Sequence, residues 1–273
     1  MIAAPPRIGP RRVPAVAFAG PTCSAADVAR RWPGALCLPP ADQGAVHFAV
    51  EELRATRILL IDGMFGDRPT VRHREVHWAL SRGVEVVGAG SLGALRAAEL
   101  EPIGMVGLGT VYRLFRATVG IDDAAIAVAT APPELGSYAL SVAAVDASAT
   151  LRAAVRAGVV AREALAALRR LSAAMPYAER DYARLATAAR NAAILHAGGA
   201  RDLERFAAAT PARPKRADAL AALVRMARTP PRRPASPPFR ATHPHIRDLR
   251  IGGLDPTPLI AASGGAMLRE TGT

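Results

Sequence analysis

Residues 84–100 read VEVVGAGSLGALRAAEL, an apolar run that passes through Gly88-Ala-Gly90-Ser-Leu-Gly93 into an amphipathic stretch. The pattern predicts a buried strand turning sharply into a helix, and with it an α/β fold. At such a turn the first N–H groups of the helix converge without partners, with the positive end of the helix dipole behind them. Ser91 falls at that point. Three readings compete for it. Gly88, Gly90 and Gly93 satisfy the GxGxxG of a dinucleotide-binding loop, which lets the backbone approach a pyrophosphate and needs an acidic residue about 20 positions on. Here Leu100 is followed by Glu101 and a Gly-rich segment, 104–109, instead of a strand ending in Asp or Glu. In the second reading Ser91 is a nucleophile, with the N–H groups of Leu92 and Gly93 as oxyanion hole. In the third, Ser91 is a helix cap and the glycines serve a tight turn.

Outward from this loop, apolar runs alternate with helical stretches from Val13 to about Thr130, which predicts a mainly parallel sheet flanked by helices. Strands are expected at Val13–Ala19, Ala35–Leu38, Arg57–Asp62, Val84–Val87 and Ala125–Ala129. Helices are expected at Ser24–Arg31, Asp42–Ala55, Thr70–Ser81, Ser91–Glu101 and Leu108–Ala117. Function in such sheets gathers at the carboxyl ends of the strands. That rule puts Gly20-Pro-Thr22, Asp62-Gly63 and Gly88–Ser91 at one edge. From about Ser148 the periodicity is wholly helical, and the Pro-rich 229–238 stretch reads as a linker that joins no packed element. The expected organisation is a basic tail at 1–12, an α/β core at 13–147, a helical region at 148–228 and a mobile Pro/Gly-rich tail at 229–273.

The chain has 273 residues, 51% of them hydrophobic, enough for a substantial core. No apolar run of membrane-spanning length lacks a charge, and the N-terminus lacks the apolar core of a signal peptide, so a cytoplasmic location is expected. The formal charge of +12 is concentrated at the ends: residues 13–210 carry 21 basic and 19 acidic side chains, whereas 211–250 carry ten basic against two acidic. The basic residues are Arg except for Lys215, and aromatic residues do not alternate with them. Nucleic acid is therefore not an expected partner. Cys23 and Cys37 lack metal-ligand or CxxC spacing and read as structural thiols. His243 and His245 in the tail are too few for a metal site, and neither metal nor cofactor is expected.

A helix beginning near Thr70 carries His73, Arg74, Glu75 and His77 within two turns and lies between two sheet strands, so it can face the mouth where Ser91 sits. The run DGMFGDRPTVRHREVHWALSRGVEVVGAGSLGALRAAELEPIGMVGLGTVYRLF, continued by Asp122-Asp123, Pro133-Glu134-Leu135 and residues 151–159, resembles TfuA-like proteins. The likeness spans about residues 13–195. It implies an accessory protein of YcaO enzymes, which replace a backbone amide oxygen by sulfur in peptides or proteins. Such proteins hydrolyse the C-terminal thiocarboxylate of a ThiS-type sulfur carrier, or dock it, and so deliver sulfide. The peptide substrate would be engaged through YcaO.

The family's hydrolase site is a Ser–Lys pair, which the resemblance carries onto Ser91 and onto Arg74, where the lysine stands in the family. An Arg guanidinium stays protonated and cannot act as base. His73 or His77 would then deprotonate Ser91, with Arg74 holding the thiocarboxylate; alternatively the protein keeps only an adaptor role towards YcaO. Gly88, Gly90, Leu92 and Gly93 form the loop, and Asp62, Glu75, His77 and Arg96 are expected contacts for substrate or partner. On these readings Lys215, far along the helical region, has no motif support.

Overall fold

The computed structural model describes residues 14–64, 69–118, 120–235, 237–239 and 254. The basic N-terminal tail, Phe65, His243 and His245 lie outside them. Five strands, β1 Ala15–Phe18, β2 Leu36–Leu38, β3 Arg57–Leu60, β4 Glu85–Ala89 and β5 Val106–Leu108, form one parallel sheet in the order β2-β1-β3-β4-β5. The first four coincide with the expected runs. β5 falls in the Gly-rich segment 104–109, which is not among the expected strands, and it pairs through Val87↔Val106 and Ala89↔Leu108. The strand expected at 125–129 is absent: Asp122 accepts from the Ala124 N–H at 2.9 Å and starts a 3-10 turn, Asp123–Ala125.

Side chains of a strand alternate between its faces, and both faces are buried here. Val16, Phe18, Ile58, Leu60 and Val86 enter one apolar layer with α2 Ala45–Glu51, α3 His73–Ser81, α4 Leu92–Leu100 and α5 Gly109–Ala117. Ala17, Ala19, Leu59, Ile61, Val87 and Ala89 enter the other. That second layer is closed by α1 Ala25–Arg31 and by a helix from far along the chain, α10 Pro214–Arg228. The latter presents Ala219, Ala222, Leu223 and Met226, the 3.6-residue stripe of an amphipathic helix, to strand positions rich in Ala. Its C-terminus is clamped by Arg57, which donates to the carbonyls of Met226 at 2.8 Å and Thr229 at 3.0 Å and pairs with buried Glu85 at 2.7 Å. The boundary expected at residue 148 is thus crossed: α10 belongs to the sheet.

Between them, α6 Ala144–Arg156, α7 Ala164–Ala174, α8 Tyr182–Asn191 and α9 Ala197–Ala209 pack around Leu151, Leu168, Leu185 and Leu203. Buried Arg180 ties this layer to the core by donating to the carbonyls of Ser172, Met175 and Val142. The described part of the Pro-rich stretch forms no helix or strand but lies against the body. His77 bonds the Pro237 carbonyl at 3.1 Å, and the Phe239 ring meets Trp78 edge-on at 5.4 Å. No helix of the described residues is long and apolar enough to cross a membrane.

Candidate active site at the carboxyl edge of the sheet

The strand order reverses between β1 and β3, and the crevice outside their carboxyl ends is where open parallel sheets place ligands. Asp62 fills that crevice. Its carboxylate is 1% exposed and accepts from the N–H of Gly20 at 2.9 Å, the N–H of Thr22 at 3.0 Å and the Thr22 hydroxyl at 2.5 Å. Burial pushes its pKa up, opposed by Lys215 and by the Thr22 and Gly20 donors. These three donors favour the carboxylate form.

One strand further, the chain leaves β4 through a three-residue γ-turn. The Ser91 N–H returns to the Ala89 carbonyl at 2.8 Å, and Gly90 sits between them at φ +73°. Gly90 is required twice: L side chains disfavour that φ, and a Cβ there would lie 2.9 Å from the Lys215 carbonyl oxygen. Gly88 and Gly93 answer to packing. A Cβ at Gly88 would strike the Gly93 carbonyl, and one at Gly93 would strike that of Leu60. All three glycines of the GxGxxG are therefore covered by protein, which supports the packing reading of the motif over the pyrophosphate reading.

Ser91 is 3% exposed, and its hydroxyl has no hydrogen-bond partner among the described residues. It lines a small pocket of about 30 Å³ with Asp62, Gly63, Ile126 and Val128. The expected oxyanion hole changes, because the Gly93 N–H is committed to the Ile61 carbonyl at 3.1 Å. What remains at the N-terminus of α4 is the Leu92 N–H with the helix dipole behind it.

The residue that sequence reasoning missed is Lys215. It sits in the first turn of α10, 4% exposed, with its backbone against Gly90. Its Nζ donates to the Ile126 carbonyl at 2.6 Å, and Ile126 is a wall of the Ser91 pocket. Burial pushes its pKa down, opposed by the carboxylates of Asp62 and Asp146. A buried lysine inclined to give up its proton is the kind of group that can work as a base. One signal was available: Lys215 is the sole lysine among 35 basic residues, at a position where a guanidinium would not titrate.

The α3 residues lie elsewhere. His73, Arg74 and His77 do not line the Ser91 pocket. His73 is exposed and pairs with Glu99 at 2.8 Å; Arg96 pairs with the same carboxylate at 2.6 Å and donates to the Val71 carbonyl. Arg74 is on the exposed surface, and His77 turns to Pro237 and Phe239. Glu75 is buried between helix starts, accepting the Arg72 N–H at 3.0 Å. Burial pushes its pKa up to about 7, against the pull of N–H donors at Gly44, Arg72, Val46 and His47. Cys23 is buried and, chiefly by desolvation, pushed up to about 12, so it stays a thiol. Among the described residues no group of three His, Cys, Asp or Glu could hold a metal.

The model of the TfuA-like family matches residues 62–181, which include Asp62 and Ser91 and stop short of Lys215. No curated protein matches the chain. Over residues 62–181 the chain is thus similar to TfuA-like proteins, a likeness that supports a role in the YcaO-associated thioamidation system.

Proposed function

We propose that the protein is a serine hydrolase that releases sulfide from the C-terminal thiocarboxylate of a ThiS-type sulfur carrier for a YcaO enzyme, which thioamidates its own peptide substrate. The observation that carries this reading is the convergence at one small pocket of Ser91, Asp62 and Ile126, the residue whose carbonyl holds the Lys215 Nζ. Neutral Lys215 accepts the Ser91 proton as the serine oxygen bonds to the thiocarboxylate carbon. The C–S bond then breaks, and the same proton passes to sulfur, which leaves as hydrosulfide. Water hydrolyses the acyl-serine and restores the hydroxyl, giving a carboxylate. The Leu92 N–H and the start of α4 face the oxygen on which charge develops. Asp62 keeps Lys215 beside the pocket, and its charge limits how far burial can lower the lysine's affinity for a proton. Arg74 and His73 have no part in the step.

Sulfide release from thiocarboxylated carrier tests the proposal. Ser91→Ala is expected to lose about 10³-fold or more, and equal rates would remove Ser91 from the mechanism. One observation favours a second reading, a non-catalytic adaptor that raises the affinity of YcaO for its substrate. The Gly93 N–H, half of the expected oxyanion hole, is already bonded to Ile61. An adaptor would bind YcaO and release no sulfide.

A further inference from the structure

Lys215 reaches the site from α10, and the place of its Nζ depends on what holds the first turn of that helix. The holder is one face of α6. Thr150 is fully buried there, and its hydroxyl oxygen accepts the Ala212 N–H at 3.0 Å and the Tyr182 hydroxyl of α8 at 2.8 Å. One turn earlier, Asp146 Oδ1 accepts the backbone N–H of Lys215 at 3.2 Å. Residues four apart share a helix face, so the chain entering α10 is pinned at two points by one face of α6. Asp146 and Thr150 lie within the family-matched segment 62–181, whereas the lysine that they seat lies beyond it.

Asp146 brings a charge as well as an acceptor. With Arg213 and Lys215 it lines a cavity of about 510 Å³. Burial pushes its pKa up, opposed by Lys215, by the Lys215 N–H and by Arg213. The reaction itself calls for such a charge. Converting a thiocarboxylate and one water into a carboxylate and hydrosulfide leaves one proton over in each turnover. Lys215 starts the cycle neutral and ends it holding that proton, and a buried ammonium is costly without an opposite charge nearby. Of the other titratable groups about it, Asp62 is bound by Gly20 and Thr22, Asp218 accepts the Val111 N–H, and Arg216 pairs with Asp27 on α1 at 2.8 Å. Cys23 stays a thiol, and Tyr182 is bonded to Thr150.

We propose that Asp146 is a positioning residue for the Ser91 reaction, seating the first turn of α10 and supplying the counter-charge for the ammonium that Lys215 becomes at the end of each turnover. This role rests on the reading of Ser91 and Lys215 as the reacting pair, and Asp146 acts through the lysine.

Because Lys215 is the only lysine of the chain, the full-length protein grown with lysine labelled by carbon-13 at Cε gives one side-chain signal, whose titration reports Lys215 directly. Asp146→Asn keeps the size of the side chain and an oxygen for the Lys215 N–H but loses the charge. The midpoint should fall by about one pH unit or more, a tenfold weaker hold on the proton. The acidic limb of sulfide release should move down with it, since the amine then stays neutral to lower pH. Asp146→Glu, which keeps the charge, should bring the midpoint back towards wild type. Asp146→Ser is a second neutral variant, so the result does not hang on the folding of one. Asp202→Asn, on the exposed side of α9, should change nothing. A midpoint unmoved in the neutral variants would overturn the proposal, because a residue that only packs alters the rate without moving the titration. The signal needs no turnover. A midpoint that follows Asp146 in a protein whose Ser91→Ala variant releases sulfide as fast as wild type would uphold the seat and sink the hydrolase reading. An unmoved midpoint beside an inactive Ser91→Ala would do the reverse.

Discussion

Two helix starts, residues 72–77 at the head of α3 and 213–218 at the head of α10, offer ionisable side chains to the molecule, and they meet opposite fates. The first lies close to the glycine loop in sequence, yet sends His73 to Glu99, His77 to Pro237 and Glu75 into a buried cap. The second lies far off in sequence, yet rests on Gly90, holds Ile126 through Lys215 and caps α5 through Asp218, which accepts the Val111 N–H at 2.7 Å. At the mouth of a parallel sheet, what reaches a site is decided by which helix covers which face. Nearness along the chain is a weaker guide.

The comparison is broken most directly by exchanging the basic residues. Lys215→Arg keeps a long basic side chain but removes a base that can lose its proton, so sulfide release should fall by about 10³-fold, roughly 4 kcal/mol of barrier. Arg74→Ala should leave it close to wild type. Matching losses from both would mean that the two helix starts are not distinct in function. Circular dichroism of the Lys215 variant checks that α10 has stayed in place.

Next in size is the anchor at the other end of α10. Arg57→Ala strands buried Glu85 without its 2.7 Å partner and frees the Met226 and Thr229 carbonyls. Urea unfolding should show a loss of about 3 kcal/mol or more. A loss under about 1 kcal/mol would show that α10 is held by its apolar stripe alone.

The head of α3 makes a pH-dependent contribution. The folded protein holds the Glu75 proton up to about pH 7, whereas the unfolded carboxyl releases it near its ordinary value of 4.5. In that window the folded state binds more protons, so stability should fall by roughly 2–3 kcal/mol as pH rises from about 4.5 to about 7, then level off. Glu75→Gln should flatten this decline in a series of denaturation curves. A variant that declines as steeply as the wild type would place the titrating group elsewhere. The smallest effect belongs to His73→Ala. Its ion pair with Glu99 is half exposed and should be worth less than about 1 kcal/mol by thermal unfolding, with sulfide release unchanged.

Much of the α/β half was legible because buried parallel strands leave continuous apolar runs, and β1 to β4 stand where those runs are. β5 was hidden because three residues with a central glycine carry too little pattern, and its place in the sheet comes from pairing with β4. The run at 125–129 has strand-like composition but is captured by the Asp122 turn. Ser91 and Asp62 could be placed at one edge from the strand ends alone. The docking of α10 could not, since an Ala-rich stripe looks the same whether it faces a sheet or other helices, and with it went Lys215. The role of Glu75 as a shared cap depends on where α2 begins, which no local motif announces.

The contact between Gly90 and the first turn of α10 also bears on the order in which the molecule can be made. The strands β1 to β5, Ser91 and Asp62 all precede residue 109 and are synthesised before α10 exists, so among the described elements the helix that rests on Gly90 is the last piece to be added. A nascent chain that has folded its sheet still lacks any lysine, and the Ala face of β1 and β4 stays uncovered until α10 arrives. Assembly of the fold and completion of the site are therefore one event, set by the release of α10.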